Sequence, residues 1–144
     1  GNRREKSWTA DTPGFDEKGW ENASQHLLDA PPHSVKEVSL VNVGLSTVTV
    51  QRVHEILACH SKAILRLDMS YNYLRNSGAI ALVGVGWPLM QQLQHLDLAD
   101  NHIGDSGAAA VAEAANRLKE IQTLALGGNL ISKQGAGALA ATLR

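Results

Sequence analysis

Between Leu93 and Gly107 the chain reads LQHLDLADNHIGDSG, and its apolar positions change period partway through. Leu96 and Leu98 alternate with His95, Asp97 and Ala99, the pattern of a short strand with one buried face. Beyond Asn101 and Ile103 the period lengthens. Ala108, Val111, Ala112 and Ala115 fall on one helical stripe, and Asp105 stands where a helix N-cap would accept from free first-turn amides. The stretch therefore predicts strand, turn and helix in that order.

The same template recurs along the chain. Ile64, Leu67, Met69, Asn72, Leu74 and Gly78 repeat the spacing upstream, and Ile121, Leu124, Leu126, Asn129, Ile131 and Gly135 repeat it downstream. A looser copy begins at Val35 with Val38, Leu40 and Leu45. The starts Val35, Ile64, Leu93 and Ile121 are 29, 29 and 28 residues apart. A unit of this size cannot bury its apolar face alone, so stacked neighbours must bury it together. The expected units are 35–63, 64–92, 93–120 and 121–144, with parallel strands near 38–41, 67–70, 96–99 and 124–127.

The first unit departs from the pattern, with Val43 in place of Asn and Thr49 in place of Gly, yet Val50, Val53, Ile56 and Leu57 still form a helical stripe. In the second, Asn76 is expected to cap a helix carrying Ile80, Leu82, Val83 and Val85, which Pro88 stops. Trp87 is expected to close the bottom of that unit. Residues 1–34 read as an N-terminal tail and helical cap. Gly1 to Ala10 is expected to be a solvated tail, and Asp16 to cap a helix with Trp20, Ala23, Leu27 and Leu28 on one face, ended by Pro31 and Pro32. Trp8, Phe15 and Trp20 supply large rings for a lid. The fourth unit reaches Arg144 with nothing after it to cover its open face, so a longer chain or a partner is expected there.

The motif LxxLxLxxNxLxxxG, with a helix in its second half, resembles the leucine-rich repeat. Its length is similar to the ribonuclease-inhibitor subclass, also seen in NOD-like receptors, tropomodulins and Ran GTPase-activating proteins. The resemblance implies an α/β solenoid, with parallel strands on the concave side and helices on the convex side. Dimensions point the same way, because strands pair about 4.8 Å apart whereas packed helices need about 8–10 Å. Asn72, Asn101 and Asn129 are expected to form a structural ladder, since an amide side chain supplies both donors and an acceptor to a buried turn.

Composition narrows the function. Thirteen basic and 14 acidic side chains give a net charge of −1, which offers nucleic acid or an anionic membrane no field. One cysteine excludes an intramolecular disulfide framework and suits a reducing compartment, so a cytoplasmic location is expected. No apolar run is long enough to span a bilayer. The six histidines show no metal-ligand spacing and no glycine-rich phosphate loop is present, so no metal, cofactor or enzymatic activity is expected.

Strand alternation places defined columns on the concave face: Glu37, Arg66, His95 and Thr123; then Ser39, Asp68, Asp97 and Ala125; then Val41, Ser70, Ala99 and Gly127. At the loop edge follow Asn42, Tyr71, Asp100 and Gly128. Tyr71 is the one large amphipathic side chain among them, a residue type enriched at binding hot spots. Asp68 and Asp97 would be cross-strand neighbours. Asp-x-Ser after a strand leucine is also common in the resembled family, so Asp68, Asp97 and Ser70 stand equally well as scaffold. The expected function is a non-enzymatic protein-interaction module that binds another protein through Glu37, Ser39, Arg66, Asp68, Ser70, Tyr71, His95, Asp97, Asp100 and Thr123. The alternative is a structural subunit of a larger cytoskeletal or scaffold assembly, docking or self-associating through its fourth unit.

Overall fold

The structure, a computed structural model, describes residues 6–9, 17–84, 87 and 90–142. Each unit contributes a short strand and then a helix. In chain order these are β1 (Lys6–Thr9), α1 (Glu17–Asp29), β2 (Val35–Ser39), α2 (Val50–His60), β3 (Arg66–Asp68), α3 (Arg75–Gly84), β4 (His95–Asp97), α4 (Asp105–Asn116), β5 (Thr123–Ala125) and α5 (Lys133–Thr142). The strands form one sheet in the order β1-β2-β3-β4-β5, and every neighbouring pair is parallel. This is an α/β solenoid, with strands on the concave side and helices on the convex side.

The template leucines fill the core between sheet and helices. Ile64, Leu67, Met69 and Leu74 in the second unit, and Leu93, Leu96, Leu98 and Ile103 in the third, are all buried. So are the helical stripes Val50, Val53, Ile56 and Leu57 of α2 and Ala108, Val111, Ala112 and Ala115 of α4. Trp87 is buried within the same core.

Several expectations need correction. The strands begin three residues earlier than the leucine pattern implied in the first unit and one residue earlier in the other three, because the backbone ladder starts before the first strand leucine. It also outlasts the strands: the amides of Asn42, Tyr71 and Asp100 still donate to the carbonyls of Ser70, Ala99 and Gly127 in the next unit, at 2.9–3.1 Å. Ile80 is exposed, not core, because the buried side of α3 runs through Gly78, Ala79 and Leu82. The segment expected to be a solvated tail supplies β1, whose Ser7, Trp8 and Thr9 pair with Glu37, Val38 and Ser39. An exposed strand edge is a row of unpaired amides and carbonyls, and β1 covers that of β2. The expected N-cap at Asp16, the Phe15 ring, Val85 and Pro88 lie outside the described residues.

Helix α1 packs Trp20 and Leu27 into the core, with Leu28 half-buried beside them. Its seam with the first unit is polar as well as apolar. Arg52 donates to the Ser24 hydroxyl (3.0 Å) and the Gln25 side-chain oxygen (2.9 Å). The wholly buried His60 accepts at Nδ1 from the Ser34 amide (3.3 Å) and donates from Nε2 to the Leu27 carbonyl (2.9 Å). An amide can only donate and a carbonyl only accept, so these partners require the neutral Nε2-protonated ring.

Two ladders couple the units. At the strand ends, Asn72 donates to the carbonyls of Leu40, Met69 and Ser70 (2.8–3.1 Å) and accepts from the amides of Val43 and Leu45 (3.0 Å each). Asn101 donates to Met69, Leu98 and Ala99 and accepts from Leu74, and Asn129 donates to Leu98, Leu126 and Gly127 and accepts from Asn101 and Ile103. Each amide thus completes the turn of the unit before it. This ladder satisfies buried backbone groups that would each cost roughly 1–3 kcal/mol if left unpaired.

The second ladder runs along the helix starts and points the other way. Asn76 does not cap its own helix; its Oδ1 accepts from the amides of Gly104 (2.8 Å) and Gly107 (2.9 Å), at the start of α4. Asp105 likewise reaches forward, accepting from the Ser132 amide (2.8 Å) and hydroxyl (2.6 Å) ahead of α5. The Ser132 hydroxyl, and then its amide, hold the Asp105 carboxyl below its ordinary range. A Cβ at Gly107 would stand 2.7 Å from Asn76 Oδ1, and one at Gly135 would collide with the Asp105 carboxylate. Gly107 and Gly135 are the berths for these reaching side chains.

Candidate functional site

The concave columns follow the sheet register. Glu37, Arg66, His95 and Thr123 are successive partners, as are Ser39, Asp68, Asp97 and Ala125. Within the first column Arg66 pairs with Glu37 (3.7 Å), both half-exposed, and His95 Nδ1 lies 2.7 Å from the Thr123 hydroxyl. An exposed ion pair of this kind contributes at most about 1 kcal/mol. In the second column each aspartate commits one oxygen to the backbone. Asp68 Oδ1 accepts from the Ser70 amide (3.0 Å) and hydroxyl (2.8 Å), and Asp97 Oδ1 accepts from the Ala99 amide (2.9 Å). These bonds fix both carboxylates at the strand ends.

Ser70 was expected on the concave surface and is buried instead, its hydroxyl turned back onto Asp68. It belongs to the scaffold. The remaining expected residues are accessible: Arg66, Tyr71 and Thr123 are exposed, and Glu37, Ser39, Asp68, His95, Asp97 and Asp100 are half-buried. A shallow hollow of about 130 Å³ lies between the columns, lined by Arg66, Asp68, His95, Asp97 and Thr123 among others.

At the loop edge the chain turns sharply out of each strand. Asn42, Tyr71, Asp100 and Gly128 occupy equivalent positions and share the left-handed conformation, with φ of 55°, 60°, 56° and 68°. Asn, Asp and Gly adopt that conformation readily, and tyrosine does not. Tyr71 is nonetheless there, 59% exposed.

Two residues further along is a row that the sequence reading missed: Gly44, Tyr73, His102 and Leu130. Tyr73 is 55% and Leu130 66% exposed, and the Tyr73 ring stacks on His102 with centroids 5.4 Å apart and planes 10° from parallel. The signal was available, because these residues flank the template asparagine on its outward side at the same 29- and 28-residue spacing. Among the described residues, no group of His, Cys, Asp and Glu is arranged to hold a metal ion, and no helix is long and apolar enough to cross a membrane.

Repeated parallel strands, backing helices and an internal asparagine ladder are the architecture of a leucine-rich-repeat solenoid. The sequence profile of the family described as "Leucine Rich repeat" matches residues 60–83 and 90–112, across the second and third units. The chain is similar to RAN GTPase-activating protein 2 of Arabidopsis thaliana, at 24% identity over 111 residues. That match takes in 76% of this chain and 20% of that protein, so the chain spans about one fifth of the relative's length. Among solved structures it is similar to the tropomodulin C-terminal domain of Caenorhabditis elegans, with a TM-score of 0.73 at 10% identity, covering 96% of this chain and 81% of that one. At that identity the likeness is one of fold. Solenoids of this class present extended concave surfaces for binding other proteins.

Proposed function

We propose that the chain is a non-enzymatic interaction module that binds a protein partner through the concave face of its second and third repeats and the adjoining loop edge. Tyr71 carries this reading. A left-handed backbone costs a residue with a side chain roughly 1–2 kcal/mol, and the equivalent positions avoid that cost with Asn, Asp and Gly. A strained, exposed aromatic residue points to use at the surface. Tyr73, His102 and Leu130 extend the same edge with further exposed rings and an aliphatic side chain. Arg66, His95, Asp97, Asp100 and Thr123 supply the polar surround expected around such anchors.

The test is site-specific photocrosslinking in cells. A photoreactive phenylalanine at Tyr71 or His95 is expected to capture a discrete partner, whereas the same group at Glu113, exposed on α4, is not. Tyr71→Asn sharpens the test by relieving the backbone while removing the ring. It is expected to raise stability by up to about 1 kcal/mol and to lose the partner. Capture from Glu113 alone would overturn the assignment.

The second reading, docking through the fourth repeat, draws support from β5 at the sheet edge and from the half-buried Ile121, Leu124, Leu126 and Leu139. It predicts a mass that rises with concentration in sedimentation. A constant monomer mass would remove self-association through that face.

A further inference from the structure

The concave face and the loop edge are not evenly charged. Glu37 is matched by Arg66. Asp68 and Asp97, by contrast, are neighbours across β3 and β4, about 4.8 Å apart along the sheet. Asp100 stands at the adjoining turn, its carboxylate leaning over Gly128, where a Cβ would collide with it. None of these three carboxylates has a cationic partner among the described residues. The backbone bonds that use Oδ1 of Asp68 and Asp97 leave Oδ2 of each without a hydrogen-bond partner there. The fixed acidic pair borders the 130 Å³ hollow, whose lining also includes His95 and Arg66, the latter paired with Glu37, and which has room for the head of a side chain. Tyr71 and Tyr73, both exposed, follow at the loop edge of the same repeat as Asp68.

We propose that this surface receives an arginine-bearing basic segment of a protein partner. The proposal rests on the interaction reading above and names the chemistry of the occupant. Three carboxylates without an ion-pair partner among the described residues outnumber Arg66, which is itself paired with Glu37, so this face is locally acidic on a chain whose net charge is only −1. A cation placed between Asp68 and Asp97 relieves their mutual repulsion and restores hydrogen bonds to their outer oxygens. Arginine suits the site better than lysine for two reasons. Its planar fork can bond a carboxylate through two parallel N–H donors, and its flat face stacks on an exposed tyrosine. The acidic positions and the rings are spread over two strands and their loops, too far for one small cation to span. Several basic side chains on one chain can reach them together, each contact raising the effective concentration of the next.

The experiment titrates the full chain with four probes and follows amide chemical shifts. The probes are an alternating arginine–glycine octapeptide, its lysine and glutamate equivalents, and spermine. The arginine peptide is expected to bind most tightly, with shifts centred on Asp68, Tyr71, Asp97 and Asp100 and an affinity that falls as salt is raised. Asp97→Asn and Asp100→Asn, which keep side-chain shape, are each expected to weaken it three- to tenfold. Tyr71→Ala is expected to bring the arginine and lysine peptides to equal affinity. Glu113→Gln on the convex face is expected to change nothing. Equal binding of the glutamate peptide or of spermine would overturn the proposal, as would Asp97→Asn and Asp100→Asn variants that behave like Glu113→Gln. If crosslinks from Tyr71 persist while the arginine peptide fails, the interaction reading stands and the basic partner falls. If the crosslinks fail too, both fall.

Discussion

The third and fourth repeats carry the same template, yet they fold into different environments. Leu96 of β4 is 2% exposed, and Leu93, Leu98 and Ile103 around it are sealed. Their counterparts Ile121, Leu124, Leu126 and Ile131 are only half-buried, and of α5 only Gly135 is buried. The residue types are nearly the same, so the difference lies in neighbours. β4 is paired on both sides, whereas β5 is the last strand of the sheet. In a solenoid the stability of a unit is approximately its own term plus one interface term per neighbour. The template specifies the shape of a repeat, and its position in the array decides how much that shape is worth.

The largest break in this comparison should come from the strand leucines. Leu96→Ala is expected to cost about 2–5 kcal/mol in urea denaturation, and Leu124→Ala less than half of that, because its site is already open to solvent. Equal losses would mean that burial does not set the difference. The asparagine ladder gives the next contrast. Asn101→Ala, which strands buried carbonyls and amides, is expected to cost roughly 1–3 kcal/mol, with Asn129→Ala below it. Asp97→Ala, on the half-exposed face, should cost less than either. Coincident denaturation midpoints for Asn101→Ala and Asp97→Ala would refute the ladder as a structural device.

Glycine berths sharpen the comparison further. Gly107→Ala must displace Asn76 Oδ1 and Ile103 Cγ2 and crowd the Asn76 backbone, and is expected to cost about 1–3 kcal/mol by thermal melting. Gly135→Ala meets only the carboxyl end of Asp105, an exposed side chain that can swing away, and should cost about 1 kcal/mol or less. The smallest effect is a pH dependence confined to the fourth repeat. The Asp105 carboxyl is held below its ordinary value of 3.8 by the Ser132 hydroxyl and amide, so the folded form favours the charged state. Its contribution is present above about pH 4 and is lost as pH falls through the lowered value. After correction for intrinsic rates, the Ser132 and Gly135 amides are expected to exchange faster below that range while the Ala108 amide does not. Asp105→Asn should abolish the trend.

Much of this architecture could be read from the chain. The 29-, 29- and 28-residue spacing fixed the order of elements, the parallel sheet, the core leucines and the asparagine positions, because each depends on side-chain type at a regular interval. The concave columns were also legible, since alternation along a strand determines them. What was not legible depends on backbone geometry or on reach between units. β1 pairs through amides and carbonyls, which leave no trace in side-chain pattern. Asn76 and Asp105 have the composition of ordinary N-caps, and nothing local shows that they serve the helix of the next unit. Ser70 sits at an outward position and was drawn inward by Asp68, two residues away. The left-handed turn that makes Tyr71 unusual is visible only as a dihedral angle.

The opposed ladders have a consequence for how such chains can be recombined. A repeat lends its asparagine to the unit behind it and its helix-start oxygen to the unit ahead, like a plank cut with a tongue on one edge and a groove on the other. Asn101 closes the turn that follows β3, while Asp105 anchors the residue that precedes α5. A foreign repeat spliced between them must therefore match both joints: an amide at the strand end, an acceptor at the helix start, and a glycine to admit the acceptor from behind. Units that satisfy all three are interchangeable in sequence order but not in direction, which gives the array a grain. Deletions and duplications that keep the joints in phase lengthen or shorten it without remaking the core, whereas those cut elsewhere leave a tongue with no groove.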